Sequence, residues 1–326
     1  MAGSTVEVIV FTHAPFAKYL RGCLRSLLAQ SYSSLQISLI GDDSPEIASV
    51  AREFQNERNV AFLSERDLLE RSPVKNCRRA FLQAANVRMK ESSAVYVGTW
   101  NCDDFYNRDH VKLLVDILEK YPTTGAAFDN VDYRDDWGDD ECPIPGGIES
   151  TPNLMIPRNQ AKLLAAGEVS LQALFIENLM TAPSSLVRRS VLERAGGYDK
   201  DTVLNCDLHW FYRIAAYFPV RFVNYTGVRK RIHSANTTAV DSRHVYGVSD
   251  LENLRDRYPE VCDRIGKNVF NKKLGRKYFR LGLYYDALGE SGKAQEAYKK
   301  AMQLRKLSLR YGWQYYRSTL FSPSVG

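Results

Sequence analysis

The sequence predicts an α/β protein: a mostly parallel sheet flanked by helices, with a smaller α-helical region after it. Three observations predict this. Short apolar runs at residues 6–11, 35–40 and 60–63 alternate with segments of helical period, the β-α-β-α-β order of a parallel sheet with crossover helices. A fourth run, 95–99, feeds directly into the paired carboxylates Asp103 and Asp104. The carboxyl ends of such strands are where open α/β sheets bind ligands. From about residue 250 the pattern is helical to the end.

Each element has its own reason. Residues 6–11 are the first expected strand, and Thr12-His13-Ala14-Pro15 is its loop. Over 19–30, Leu20, Cys23, Leu24, Leu27 and Leu28 share one helical face. The second strand, 35–40, ends in Gly41-Asp42-Asp43-Ser44, a turn and helix-cap pattern. Helices are expected over 45–56, 76–90 and 110–120, and a further strand over 125–131. Asp103 and Asp104 read equally well as a cap before a helix from about Asn107 or as a metal site; adjacent carboxylates need a compensating cation, either a divalent metal or a nearby Arg or Lys. Residues 134–170 are acid-rich and then studded with Pro and Gly, so a long functional loop is expected there. A strand over 182–189, a helix or turn over 191–195, a turn at 196–199, a helix after Asp207 and an extended run over 220–232 follow. The expected domains are 1–240 and a helical region 241–326.

The totals exclude several classes. With 326 residues, 44% hydrophobic and 25% charged, the chain has the composition of a soluble globular protein with a large core. Its 44 basic and 38 acidic residues give +6, too weak a bias for nucleic acid but suited to an anionic small substrate or an anionic membrane surface. Six scattered cysteines without a Cys-x-x-Cys pair read as reduced thiols. No apolar stretch approaches a membrane span and no signal-peptide pattern opens the chain. The expected location is therefore the cytoplasm, with peripheral contact at the inner membrane face as a second expectation. No G-x-G-x-x-G, P-loop or G-x-S-x-G follows a strand, which argues against a dehydrogenase, a P-loop enzyme or a serine nucleophile.

One basic stretch stands out. Strand alternation over 228–233 puts Arg229, Arg231 and His233 on one face and Lys230 and Ile232 on the other. Two guanidiniums and an imidazole read as a solvated basic strand edge or as a face suited to a diphosphate and its metal.

The motifs in order resemble family 2 glycosyltransferases of the GT-A fold. They are the opening run Val6-Glu7-Val8-Ile9-Val10-Phe11-Thr12, then Cys23-Leu24-x-Ser26-Leu27-Leu28-Ala29-Gln30-Ser31-Tyr32, and Gly41-Asp42-Asp43-Ser44. Asn101-Cys102-Asp103-Asp104, Gly196-Gly197-Tyr198-Asp199, Cys206-Asp207-Leu208-x-Trp210-x2-Arg213 and Arg231-Ile232-His233 continue the likeness over about 5–235. The resemblance implies a mixed, mostly parallel sheet and a nucleotide-diphosphate sugar donor, with UDP favoured. It implies Phe11, Thr12 and Asp43 at the base, Asp103 at the ribose, and Asp104 with His233 on Mn2+ or Mg2+. Arg229 and Arg231, with Arg78, would face the diphosphate, and Asp207 would be the base of an inverting transfer. The acceptor would be a saccharide or a lipid-linked hydroxyl, in glycan or cell-surface polysaccharide synthesis. The Gln-x-x-Arg-Trp signature of processive synthases is absent, so one transfer per encounter is expected. The chain departs from the family at Asn101, where an Asp is usual, at Cys206, where a Glu is usual, and at His13-Ala14. The loss of the first Asp keeps an alternative open: a catalytically silent nucleotide-binding or scaffold module that recruits partners through its tail.

The tail also resembles something known. Tyr278-x2-Leu281-Gly282-x2-Tyr285, Gly289, Ala294-x3-Tyr298 and Ala301 are similar to one tetratricopeptide unit, about 275–308. A single such unit needs neighbours to cover its face. A last helix with Leu309, Trp313, Tyr316 and Leu320 on one stripe is expected to cap it, or to contact a membrane or protein partner.

Overall fold

The computed structural model describes residues 3–74, 79–135, 153–164, 167–233 and 243–304. The chain divides into two compact units, Met1–Lys200 with Cys206–Ser234, and Asp201–Asn205 with Ala235–Gly326.

The first unit is built on one sheet. Its strands are β1 (Val6–Thr12), β2 (Leu35–Gly41), β3 (Val60–Ser64), β4 (Tyr96–Asn101), β5 (Phe105–Tyr106), β6 (Ala126–Asp135), β7 (Ser185–Arg188) and β8 (Val220–Ile232). They lie in the order β3-β2-β1-β4-β7-β6-β8-β5. Pairing is parallel from β3 through β2 and β1 to β4, and again between β6 and β8. β7 is antiparallel to both its neighbours, and β5 is antiparallel to β8. The sheet is thus mixed and mostly parallel. β1 reads as a nearly unbroken apolar run because it is covered on both faces. Val6, Val8 and Val10 share a core with Leu20, Cys23, Leu24 and Leu27 of the helix Ala17–Leu28. Glu7 interrupts that run, is fully buried, and survives by its partners. Ser38 Oγ and Ser92 Oγ donate to it at 2.5 Å, and Arg88 Nε at 2.5 Å neutralises it.

Some expected elements change. The helix expected over 76–90 runs Ala80–Glu91, and residues 75–78, Arg78 among them, lie outside the described residues. The expected strand over 182–189 opens as a 3-10 turn, Ala182–Ser184, and only then becomes β7. Within the expected loop 134–170, the described part holds a helix, Arg158–Leu164. Phe105-Tyr106 is not the approach to a helix from Asn107. It is a two-residue strand, and the helix starts later, at His110–Lys120.

The second unit is helical where described: Arg243–Arg257, Pro259–Ile265, Lys267–Ala287 and Ser291–Leu304. Small residues let its last two helices approach. A Cβ on Gly282 would run into the ring of Tyr298, which is itself fully buried. Tyr298 stacks on Phe279 at 5.6 Å and donates its hydroxyl to Asp286 at 2.6 Å. Ala294 and Ala301 are buried beside it, whereas Tyr285 is only half-buried. The expected last helix, with Trp313, lies outside the described residues. Among the described residues no helix is long and apolar enough to cross a membrane.

Candidate active site

The acidic loop leaves β4 and is laid against β8 by the small strand β5, where Phe105 pairs with Arg229 and Tyr106 with Val228. Its first residue is pinned. Tyr106 Oη donates to the Asn101 carbonyl at 2.9 Å and accepts from the Asn101 amide at 3.1 Å. Asn101 Nδ2 in turn donates to Asp104 Oδ2 at 3.0 Å. The backbone N–H of Arg231 donates to the other oxygen, Oδ1, at 3.2 Å, and Lys230 Nζ stands 3.7 Å from Oδ2. Asp104 is 2% exposed. Burial pushes its carboxyl up to about 6, Asp103 adds to this, and Lys230 opposes it.

Asp103 has a different partner. His233 Nε2 lies 3.0 Å from Asp103 Oδ2, and Arg231 Nε donates to the Asp103 carbonyl at 3.2 Å. Arg231 is buried with its guanidinium 4.3 Å over the ring of Tyr19, and the His233 ring is 5.1 Å from the same ring. The imidazole therefore sits on Asp103, the neighbour of Asp104.

Asp207 is the second residue of the helix Cys206–Tyr217. Its carboxylate accepts from Leu208 N at 2.8 Å and from Ala182 N at 3.3 Å, in the turn ahead of β7. Burial raises its pKa, with these bonds and Lys230 pulling the other way. The remaining motif residues are scaffolding. Arg213 donates to the carbonyls of Ala195 at 2.6 Å and Gly197 at 2.5 Å, and Trp210 Nε1 to that of Gly196 at 2.8 Å. They hold the Gly-Gly turn, in which Gly196 has φ +66°.

Lys230 is the residue that sequence reasoning missed. Burial works against its charge, but Asp104, Asp103, Tyr133 and Asp207 outweigh this and raise its pKa. Its ion-pair partner is Asp104, and the charges of Asp103 and Asp207 act on it as well. Strict alternation assigned it to the opposite face from Arg231. The acidic loop crosses the strand there, so it meets the backbone and guanidinium of Arg231 and the ammonium of Lys230 together. Arg229 goes elsewhere, to a polar groove of about 560 Å3 with Asn130, Asp132 and Arg134.

The carboxyl ends of β1 and β2 carry a second cluster. Phe11 packs edge-on against Phe81 at 5.3 Å, and His13 joins them at 5.9 Å from Phe81. Thr12 is buried. Asp42, not Asp43, ties the two loops together: it accepts from Ala14 N at 3.1 Å and Ser44 N at 3.3 Å. Burial pushes its pKa up, but the bonds from Ser44 and Ala14 and the nearby His13 outweigh this and lower it. Asp43 is half-exposed and pairs with Arg66 at 3.1 Å.

Among the described residues no three His, Cys, Asp or Glu side chains are grouped to hold a metal by themselves. Asp104 and His233, the two donors expected from the sequence, would offer a carboxylate oxygen and an imidazole nitrogen, with His233 Nε2 already on Asp103. That set fits a divalent ion only if a ligand supplies the other oxygens.

Comparison with known proteins agrees with this layout. Residues 7–164, just under half of the chain, match the family described as Glycosyl transferase family 2. No curated protein matches the chain. Among solved structures, residues 1–349 of S. aureus TarS in complex with UDP-GlcNAc align with a TM-score of 0.63 at 10% identity, over 96% of this chain and 89% of that one. The longer TarS chain gives 0.59 at 13%, and this chain spans 50% of its length. The mannosyltransferase PcManGT from Pyrobaculum calidifontis, in complex with GDP-Man and Mn2+, gives 0.56 at 16%, over 97% and 84%. At such identities the likeness is one of fold. Residues 7–164 thus match the model of that family, and the mixed sheet with its flanking helices has the GT-A fold.

Proposed function

We propose that the chain transfers one sugar per encounter from a nucleotide-diphosphate donor, UDP-sugar favoured, to a hydroxyl of a saccharide or lipid-linked acceptor, with inversion. The observation that carries this is the pair Asp103 and Asp104 at the end of β4, with His233 on Asp103 and Lys230 3.7 Å from Asp104. The acceptor oxygen forms a bond to the anomeric carbon as the bond from that carbon to the diphosphate oxygen breaks. The electron pair leaves with the nucleoside diphosphate, and the acceptor proton passes to the Asp207 carboxylate. A carboxylate whose pKa burial has raised is a better base than an ordinary one. Lys230 and Arg231 carry positive charge where the leaving diphosphate gains negative charge. Asp103 is assigned to the ribose, Phe11, Thr12 and the Asp42-Asp43 pair to the base. Asp104 and His233 would hold Mn2+ or Mg2+ together with donor oxygens. When bound, the ion neutralises charge on the leaving diphosphate. The geometry supports a smaller diphosphate role for Arg229 than for Lys230, because Arg229 lines the polar groove. The neighbours' ligands, UDP-GlcNAc and GDP-Man with Mn2+, are in keeping with this reading. The helix pair 267–304 is read as one tetratricopeptide-like unit, and the working place as the cytoplasm.

The test is a thermal-shift screen of nucleoside diphosphates with and without Mn2+. A selective shift that grows with Mn2+ is expected, and ligand linkage makes it readable. No response to any nucleotide would remove the reading, and a full response in excess chelator would remove the metal from it.

A further inference from the structure

A groove of about 750 Å3 lies within the second unit. Its walls carry Arg243, His244, Lys277 and Arg280, with Leu283 and Tyr284 beside them. Lys277, Arg280 and Tyr284 are spaced to share one face of the helix Lys267–Ala287, and Arg243 and His244 come from the helix Arg243–Arg257. Lys277 is half-buried against the facing helix, where a Cβ on Gly247 would touch its Nζ at 3.4 Å. The His244 ring stacks near Tyr284 at 5.3 Å.

This concentration of charge has no internal counterpart. Among the described residues, Arg243, Lys277 and Arg280 are in no ion pair. Other cations of the unit are paired: Arg257 with Asp201 at 2.5 Å, Arg255 with Asp256 at 2.7 Å, Lys293 with Glu290 at 2.7 Å, Lys300 with Glu296 at 3.4 Å. The nearest acid to Lys277 is Asp250, and it is spent. It is fully buried and accepts from the amides of Val203, Leu204 and Asn205 and from Asn205 Nδ2, all at 2.9–3.0 Å. The like charges of the groove residues act against one another. Burial lowers the pKa of His244, and Arg243, Lys277 and Arg280 lower it further. Burial lowers that of Lys277, and Arg280 adds to this against Asp250. Grouped like charges, with Lys277 half-buried among the exposed Arg243 and Arg280, cost stability unless something negative joins them.

We infer that this groove binds a phosphoryl-bearing ligand, held by Lys277, Arg280 and Arg243, with its apolar or sugar body against Leu283 and Tyr284. Guanidinium forks and an ammonium match phosphate oxygens. The volume is far larger than one phosphate and lies in the range of small-molecule sites. The site stands apart from the acidic cluster of the first unit and does not rest on the sugar-transfer reading.

The test uses the full chain, labelled in its histidine rings, and inorganic pyrophosphate at constant ionic strength without divalent ions. The chain has five histidines, and His244→Gln assigns the resonance. Pyrophosphate is expected to move the His244 signal saturably and to raise its pKa. The double variant K277Q/R280Q should bind at least tenfold more weakly, from the loss of two charged hydrogen bonds. Its melting temperature should be no lower than that of the parent, because it has lost repulsion and no partner. R243Q should weaken binding less, and it serves if the double variant does not fold. An unmoved His244 signal, or an equal response in both variants, overturns the inference. Pyrophosphate acting only on His13 or His233 would do the same while leaving the first unit's function standing. Vesicles of phosphatidylglycerol separate the two sources of phosphate. Vesicle binding displaced by pyrophosphate supports a lipid headgroup in this groove. Vesicle binding with no His244 response to pyrophosphate overturns it.

Discussion

Gly227→Ala should be among the most damaging small substitutions in the first unit. A Cβ there would collide with Asp129 Oδ2 and His110 Nδ1, the two atoms of one 2.6 Å hydrogen bond. Neither can step aside. Both residues are fully buried, and the His110 ring lies 4.6 Å from Trp100 and 5.8 Å from Tyr106. Its Nε2 donates to the Pro183 carbonyl at 3.1 Å. The strand cannot retreat either, because the Gly227 carbonyl accepts from Asn107 N at 2.8 Å and the Thr226 carbonyl from Asn107 Nδ2 at 2.5 Å. Breaking a buried pair costs about 3–5 kcal/mol, overpacking costs about 1–3, and the entropy recovered on replacing a strand glycine returns about 0.5–1. We expect a net loss of about 4 kcal/mol in urea unfolding followed by tryptophan fluorescence, since Trp100 and Trp210 are both buried in that unit. Asp129→Ala removes one colliding atom and the pair that would be broken, so Gly227→Ala in that background should cost only the overpacking against His110, about 1–3 kcal/mol. Turnover should fall as well, because the His110–Pro183 bond holds the turn whose Ala182 N–H supports Asp207. Equal costs in the two backgrounds, or a Gly227→Ala protein as stable as its parent, would refute the reasoning.

Other consequences are sharper in direction than in size. Asp207→Asn should leave donor affinity nearly intact and abolish transfer, and the acid limb of the kcat profile should lie above the ordinary Asp range. Lys230→Met should lower kcat/KM about 100-fold and move that limb to higher pH, because Lys230 holds the Asp207 pKa down. Asp129 is held protonated up to about 6 in the folded chain against about 3.9 unfolded, so its contribution to stability is full below pH 4 and is lost as pH rises through 6. The difference between parent and Asp129→Asn unfolding curves should therefore change over pH 4–6. Gly282→Ala should destabilise the second unit, since about 1–3 kcal/mol of overpacking against Tyr298 exceeds the roughly 1 kcal/mol gained in helix propensity; Tyr298→Leu should cancel much of the loss in chemical denaturation.

The parallel half of the sheet was legible because burial on both faces writes itself as an unbroken apolar run, and β1, β2 and β4 are such runs. β5 was not legible. Two residues carry no periodicity, and its pairing depends on β8, more than a hundred residues away. The dyad of His110 and Asp129 was missed for a related reason. Each sits in an otherwise apolar element, where a lone polar residue signals only that some partner exists. Gly227 inside an extended run was the one local mark of a close approach at that point. Asp43 and Asp42 are adjacent and chemically alike, so nothing local distinguishes the one that bridges to Ala14 from the one that turns outward to Arg66.

The asparagine at 101 bears on whether the site is a reduced version of a stronger one. A carboxylate at that position would be a third acid in a loop where Asp104 is already pushed up to about 6 by burial and by Asp103. Lys230, at 3.7 Å, is the cation that opposes it. An amide adds no charge and donates a hydrogen bond to Asp104 Oδ2, which favours the ionised form that a cation or a donor hydroxyl needs. Asn101 and Lys230 therefore act in the same direction on one oxygen of that carboxyl group, Oδ2. With Asn101 in place of an acid, the one lysine from β8 is enough to offset the buried carboxyl of Asp104, where a third acid would leave the loop short of positive charge.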